Sequence, residues 1–234
     1  MIPKDELRGP KDLGHFDVIA TNPPFGTKLP IKDRETLSQY KLGHVWQKTP
    51  NGGWEESDQL QTSVPPEILF IERCWQFLRP GGRMAIVLPD AILGAPGLAP
   101  VRSWMITHCR LVASIDLHPD TFQPRNGTQT SVLILQRKSE REINQEAIQR
   151  NIRDYEIFMA EVGAIGHDKR GNKVYRRNED GEEILELMNV TRVEHTAAGQ
   201  VTARPIPRRK ILDDDTPNVA ADFLDWKHEA VLGW

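Results

Sequence analysis

Four consecutive residues, Asn22-Pro23-Pro24-Phe25, bring together groups well suited to chemistry. Asn22 offers an amide oxygen, and the carbonyls around the two prolines have no proline N–H to satisfy them locally. Phe25 offers an aromatic face. Two acceptors beside a ring suit a flat heterocycle that carries an exocyclic amine: the acceptors take the N–H groups and the ring stacks on the base. An aryl amine is a poor nucleophile because its lone pair is delocalised into the ring. Acceptors that draw its hydrogens out of plane favour the pyramidal nitrogen of a transition state, so their interaction energy falls where it speeds reaction. A proline-rich turn closing a strand accounts for the same residues without chemistry.

The residues in front of the loop say how it is held. Phe16, Val18, Ile19 and Ala20 predict a short buried strand that stops at the prolines. Proline fixes its own φ and pushes the residue before it out of the α region. The loop is therefore stiff and extended, at the carboxyl end of a strand, where open α/β sheets place their ligands. Residues 27–61 then show little hydrophobic periodicity and predict a long loop with a short helix near 34–42. Lys28, Lys32, Arg34, Lys41 and Lys48 are interleaved there with Tyr40, Trp46 and Trp54. Long loops inside compact domains are usually functional or disordered. Cations among aromatics suit a lid over an extruded base and its phosphates.

Residues 62–78 carry the clearest helix. Pro65 and Pro66 suit its first turn, and Ile68, Leu69, Ile71, Cys74, Trp75 and Leu78 recur at helical spacing. Arg79-Pro80-Gly81-Gly82 ends it. Strands are expected over 83–88, 111–117, 129–136 and 155–162, with a helix over 101–109. A charged linker or exposed helix fits 139–150, a hairpin fits 165–176, and an aromatic helix fits 220–226. Arg204, Arg208, Arg209 and Lys210 make the densest basic cluster, either a solvated loop or a patch facing DNA or a partner.

Composition bounds the rest. With 234 residues, 38% hydrophobic and 27% charged, the chain can bury a core in one large domain. No apolar run is long enough to span a bilayer and the start is polar, so the expected compartment is the cytoplasm. Cys74 and Cys109 make no disulfide framework or metal pattern, and core packing is the role expected of both. The seven histidines lack ligand spacing, so no metal site is expected. A net charge of −3 is low for a protein that holds nucleic acid unaided. Local patches, a partner or a further segment would have to supply part of the phosphate contact.

Asn22-Pro23-Pro24-Phe25 after a hydrophobic strand resembles the catalytic motif of the amino-group methyltransferases that use S-adenosylmethionine, above all the DNA adenine-N6 enzymes. Leu78-Arg79-Pro80-Gly81-Gly82, between helix and strand, resembles the segment after the catalytic strand in Rossmann-like methyltransferases. Thr128-Gln129-Thr130-Ser131 resembles the threonine motif of the adenine-N6 group. The resemblance runs from Phe16 to about Lys138 and is closest to the modification subunits of type I restriction–modification systems. The hairpin near 165–176, Asp213 to Pro217 and the helix after them also look like the end of that subunit's domain.

The resemblance implies an α/β fold: the second half of a Rossmann-like sheet, its strand from Gln129 antiparallel, with a C-terminal hairpin and helix. Residues 1–138 would be the carboxyl half of the catalytic domain, with 27–61 as its active-site loop, and 139–234 an extension. The implied reaction moves a methyl group from S-adenosylmethionine to adenine N6 in DNA. Asn22 and Pro23 would accept the amine hydrogens and lie beside the transferred methyl, Pro24 would stiffen the loop, and Phe25 would stack on the flipped base. Lys28, Lys32, Arg34, Arg125, Arg208 and Arg209 would meet the DNA. Recognition (specificity) and restriction subunits would be partners.

The glycine-rich cofactor turn and the acidic ribose ligand of this family have no counterpart here. The expectation is therefore a fragment with only part of the donor site, inactive alone, and with an open strand edge that pairs with itself or a partner. The same loop also serves enzymes that methylate glutamine side chains of proteins or purines of RNA. Phe25, the basic–aromatic insertion and Thr128 to Ser131 favour DNA. A non-catalytic truncated module serving as a scaffold is the remaining alternative.

Overall fold

Alternation along two neighbouring strands builds the centre of the molecule. Met84, Ile86 and Leu88 are buried while Arg83, Ala85 and Val87 between them are half-buried; Leu133 and Leu135 repeat the pattern opposite. A strand with one face in the core and one partly solvated reads this way. The computed structural model describes residues 13–25, 29–149, 154–186, 191–195, 201–205 and 209–229. In chain order the elements are β1 (Phe16–Thr21), α1 (Arg34–Leu37), β2 (His44–Lys48), β3 (Trp54–Leu60), α2 (Pro66–Phe77), β4 (Leu78–Pro89), α3 (Ala91–Gly94), α4 (Ala99–His108), β5 (Cys109–Asp116) and β6 (Thr130–Arg137). They continue with α5 (Glu140–Gln149), β7 (Phe158–Glu161), β8 (Leu185–Glu186), β9 (Thr191–His195), β10 (Val201–Pro205), β11 (Arg209–Lys210) and α6 (Thr216–Glu229).

The main sheet has the order β1-β4-β6-β5-β7. β1 is parallel to β4 and β7 to β5, while β6 runs antiparallel to both of its neighbours. Four strands thus point one way and β6 points back, so the fold is α/β with the expected reversed strand. Helix α2 connects β1 to β4 and buries Ile68, Leu69, Ile71 and Cys74, which lie on one helical face. On α4, Val101, Trp104 and Met105 complete the core with Leu78, Leu37 and Leu42. Trp104 and His108 stack within it, Trp75 meets both rings edge-on, and burial pulls the His108 pKa down.

Two details of chain path depart from the sequence reading, and a third of burial: β1, expected buried, leaves Phe16 and Val18 exposed because it is an outermost strand of the main sheet. The strand after α2 starts at Leu78 and runs straight through Pro80, Gly81 and Gly82, with a break in its register against Phe16 and Val18. Gly82 permits it, because a Cβ there would sit 2.9 Å from both the Arg79 and Phe16 carbonyl oxygens. The second departure is residues 29–61, which are structured. Ile31 bridges Val64, Asp33 caps α1 through the Thr36 amide, and β2 and β3 pair as an antiparallel hairpin. Buried Glu72 on α2 accepts hydrogen bonds from the Lys41 and Leu42 amides, both at 2.9 Å, and so ties the hairpin's base to the core.

The hairpin expected over 165–176 is present as an antiparallel bridge of His167 with Lys173; further on, β9 pairs with β10, β11 pairs with β8, and α6 packs Phe223 and Trp226 on Phe158 of β7. No helix among the described residues is long and apolar enough to cross a membrane.

Candidate active site

Asn22 directly follows the last residue of β1 and is exposed; Pro23 is buried, Pro24 exposed and Phe25 half-buried. A buried proline followed by a second one fixes the path of the loop, so the amide of Asn22 and the ring of Phe25 are presented from a backbone with few alternatives. The Phe25 ring meets Phe122 edge-on, with centroids 5.8 Å apart and planes at 72°. That is a favourable aromatic geometry.

Phe122 lies between β5 and β6 in a segment held by its own short-range bonds. The Thr121 hydroxyl donates to the His118 carbonyl at 2.6 Å, the Asp120 amide to His118 Nδ1 at 3.1 Å, and the Asn126 amide to the Phe122 carbonyl at 2.9 Å. The Thr128 amide donates to Asn126 Oδ1 at 3.0 Å. β1, β4 and β5 all end at this rim of the sheet and β6 begins there, so the two aromatic residues come from loops on one edge.

Sequence reasoning missed a carboxylate pair on the same rim. Asp90 follows β4 and accepts a 2.9 Å hydrogen bond from the Ser131 hydroxyl. Asp116 closes β5; Gln129 Nε2 lies 3.5 Å from its Oδ2, while its Oδ1 is shielded from solvent without a hydrogen-bond partner among the described residues. Burial raises the Asp90 pKa, the Ser131 bond lowers it and the charge of Asp116 raises it further. The signal was present in sequence: β4 stops at Pro89 just as β1 stops ahead of Pro23, and Asp90 is the first residue beyond.

The remaining residues expected at the site are dispersed. Arg125 is exposed three residues from Phe122. Lys32 and Arg34 are exposed at the entry to α1, and Arg209 is exposed on β11, outside the main sheet. Lys28 and Arg208 lie outside the described residues. Two aromatics read as part of a lid have structural partners instead. Tyr40 is buried, with Arg73 Nε donating to its hydroxyl at 2.9 Å and the guanidinium 4.7 Å from its ring. Trp46 Nε1 donates to the Lys41 carbonyl at 3.0 Å.

The type I restriction enzyme EcoEI methylase subunit of Escherichia coli is 26% identical over 139 residues, which are 53% of this chain and 28% of that subunit. A Listeria monocytogenes protein assigned to the class I S-adenosylmethionine-dependent methyltransferases is 20% identical, with a TM-score of 0.44, over 62% of this chain and 36% of that one. A Vibrio vulnificus protein assigned as the modification subunit of a type I restriction enzyme is 15% identical, with a TM-score of 0.41, over 88% of this chain and 40% of that one. The chain spans less than a third of the EcoEI subunit it matches. The sequence model of the N-6 DNA Methylase family, in contrast, matches residues 3–211 and so takes in the whole main sheet, the Asn22–Phe25 loop and the Phe122 loop. On that match the chain belongs to the N-6 DNA methylase family.

Proposed function

We propose that the loop from Asn22 to Phe25 is the acceptor site of a DNA adenine-N6 methyltransferase of a restriction–modification system, carried here on part of the enzyme. The observation that carries this reading is the juxtaposition of an exposed Asn22 on a proline-fixed shelf with the Phe25–Phe122 pair, at the carboxyl rim of the sheet. The Asn22 Oδ1 and the Pro23 carbonyl accept the two amine hydrogens. Phe25 stacks on the base, and Phe122 bounds the space beside it. Asp90 and Asp116 add negative potential at the rim, which favours the positive charge that develops on nitrogen as it is alkylated. The spare proton then leaves a cationic nitrogen, and water suffices to take it.

The donor this reading requires is S-adenosylmethionine, which when bound supplies an electrophilic methyl group. The residues fit it in part. Asn22 and Pro23 suit the methyl end, whereas a Gly-x-Gly turn, the family's cradle for the rest, occurs nowhere in the sequence. We therefore read the chain as a portion of the catalytic unit that does not turn over by itself, divided near residue 138 from its C-terminal extension. Specificity and restriction subunits are its partners on this reading.

The test uses the longest in-frame product that the native gene encodes around these residues, with labelled donor and duplex DNA. We expect N6-methyladenine, and a loss of roughly 100-fold or more in Asn22→Ala with donor binding retained. Unimpaired transfer by that variant would remove the role given to Asn22. Label found in a glutamine side chain or in RNA would move the activity to those relatives.

A further inference from the structure

Beyond the main sheet, residues 165–184 contain two turns built on one plan. In the first, Asp168 Oδ1 accepts from the Arg170 and Asn172 amides at 2.8 and 2.9 Å, and the Asp168 amide donates to the Asn172 carbonyl at 2.9 Å. Gly171 has φ +84°, a conformation glycine adopts freely. In the second, Asn178 Oδ1 accepts from the Glu182 amide at 2.8 Å, the Asn178 amide donates to the Glu182 carbonyl at 2.9 Å, and Gly181 has φ +82°.

The charges on the two turns are opposite. The first presents exposed Lys169, Arg170 and Lys173, and the second presents Glu179, Asp180, Glu182 and Glu183. Since the backbone plan is shared, the plan does not call for the cations. The ion pairs of this region use Arg176, with Asp213 and Asp215, and Lys210, with Glu183. The basic turn is also the one that reaches the candidate site. A Cβ added at Gly171 would lie 3.9 Å from Pro124 Cδ, in the loop of Phe122, whose ring meets Phe25. Arg125, exposed, is the next residue of that loop.

We infer that residues 169–173 form, with Arg125, a rigid arm that grips phosphates of the DNA strand beside the Phe25–Phe122 pair and so sets the position of the nucleotide offered to Asn22. This rests on the acceptor-site reading above and names the contact that orients the substrate. Lysine and arginine on a scaffold fixed by the Asp168 carboxylate neutralise phosphates without the ordering cost of a loose loop. A chain of net charge −3 has to concentrate such contact locally.

The test measures binding of a duplex with 2-aminopurine at the target position, by anisotropy across 50–200 mM salt and by 2-aminopurine emission. Lys169→Gln/Arg170→Gln/Lys173→Gln is expected to flatten the slope of log affinity against log salt by roughly 2–3 and to weaken binding roughly tenfold or more at the low-salt end. Arg141→Gln, at the opposite rim, is expected to leave the slope unchanged. Equal slopes for wild type and the triple variant overturn the arm, as does a wild-type chain with no salt-dependent binding. Phe25→Ala separates this outcome from the reading it rests on. If that variant loses the emission change while the slopes are equal, the acceptor site stands and the arm falls. If it keeps the emission change while the triple variant flattens the slope, the turn's phosphate contact stands, and the acceptor-site reading falls together with the arm's part in offering a nucleotide to Asn22.

Discussion

Cys74 and Cys109 show how burial settles a residue's chemistry. Both thiols are buried, and the loss of solvation pushes Cys74 up to about 11 and Cys109 up to about 12. A thiolate is the reactive form, so at pH 8 neither residue should alkylate until the chain unfolds. Iodoacetamide labelling followed by mass spectrometry checks this; rapid native labelling of Cys109 would mean that the start of β5 is open. The core placement of Cys74 was legible in sequence because it recurs at helical spacing with Ile71 and Leu78. The Asp90–Ser131 contact was not, since it joins positions 41 apart in chain that meet only when β6 turns back along β4. That Asn22 to Phe25 follow the end of a strand could be read from their own neighbours, whereas the contact of Phe122 with Phe25 depends on the loop Phe122 sits in.

At the scale of elements, strands bounded by proline or glycine were readable and the β2–β3 hairpin was not. β3 reads Trp-Glu-Glu-Ser-Asp-Gln-Leu, with four of its seven residues exposed and no apolar alternation to betray it. Its base is held instead by Glu72, whose pKa burial raises above 4.5 against the lowering effect of the Leu42 and Lys41 amides. An acid with a raised folded pKa contributes fully below its unfolded value, and that contribution is lost as pH climbs through the folded one. Glu72→Gln removes the charge but strands one of the two amides, each bond to the carboxylate being worth ~1.5–3 kcal/mol. We expect the melting-temperature advantage of wild type over Glu72→Gln to shrink as pH rises above 4.5. Thermal denaturation of both proteins from about pH 4 to about pH 8, a span that takes in the usual carboxylate range, checks it; a constant difference would mean that Glu72 does not titrate in that window.

For the whole molecule, the notable feature is that β1 has β4 as its only strand neighbour among the described residues. Val18 is 67% exposed and Phe16 53%, so this edge offers both unpaired backbone and apolar side chains. Natural edges blunt that hazard with charge, and Arg79 paired with Asp17 supplies it on β1 at a single position. Val18→Lys should therefore reduce self-association, measured by sedimentation velocity. No change would mean that β1 is not the surface through which copies meet.

One consequence concerns the shelf itself. It hangs from a rail clamped along one side, and the two prolines are what keep it from swinging. On the proposed reading, a strand that clamps the other side of β1 would also steady the place where the amine is held, so assembly and catalytic competence would rise and fall as a single quantity.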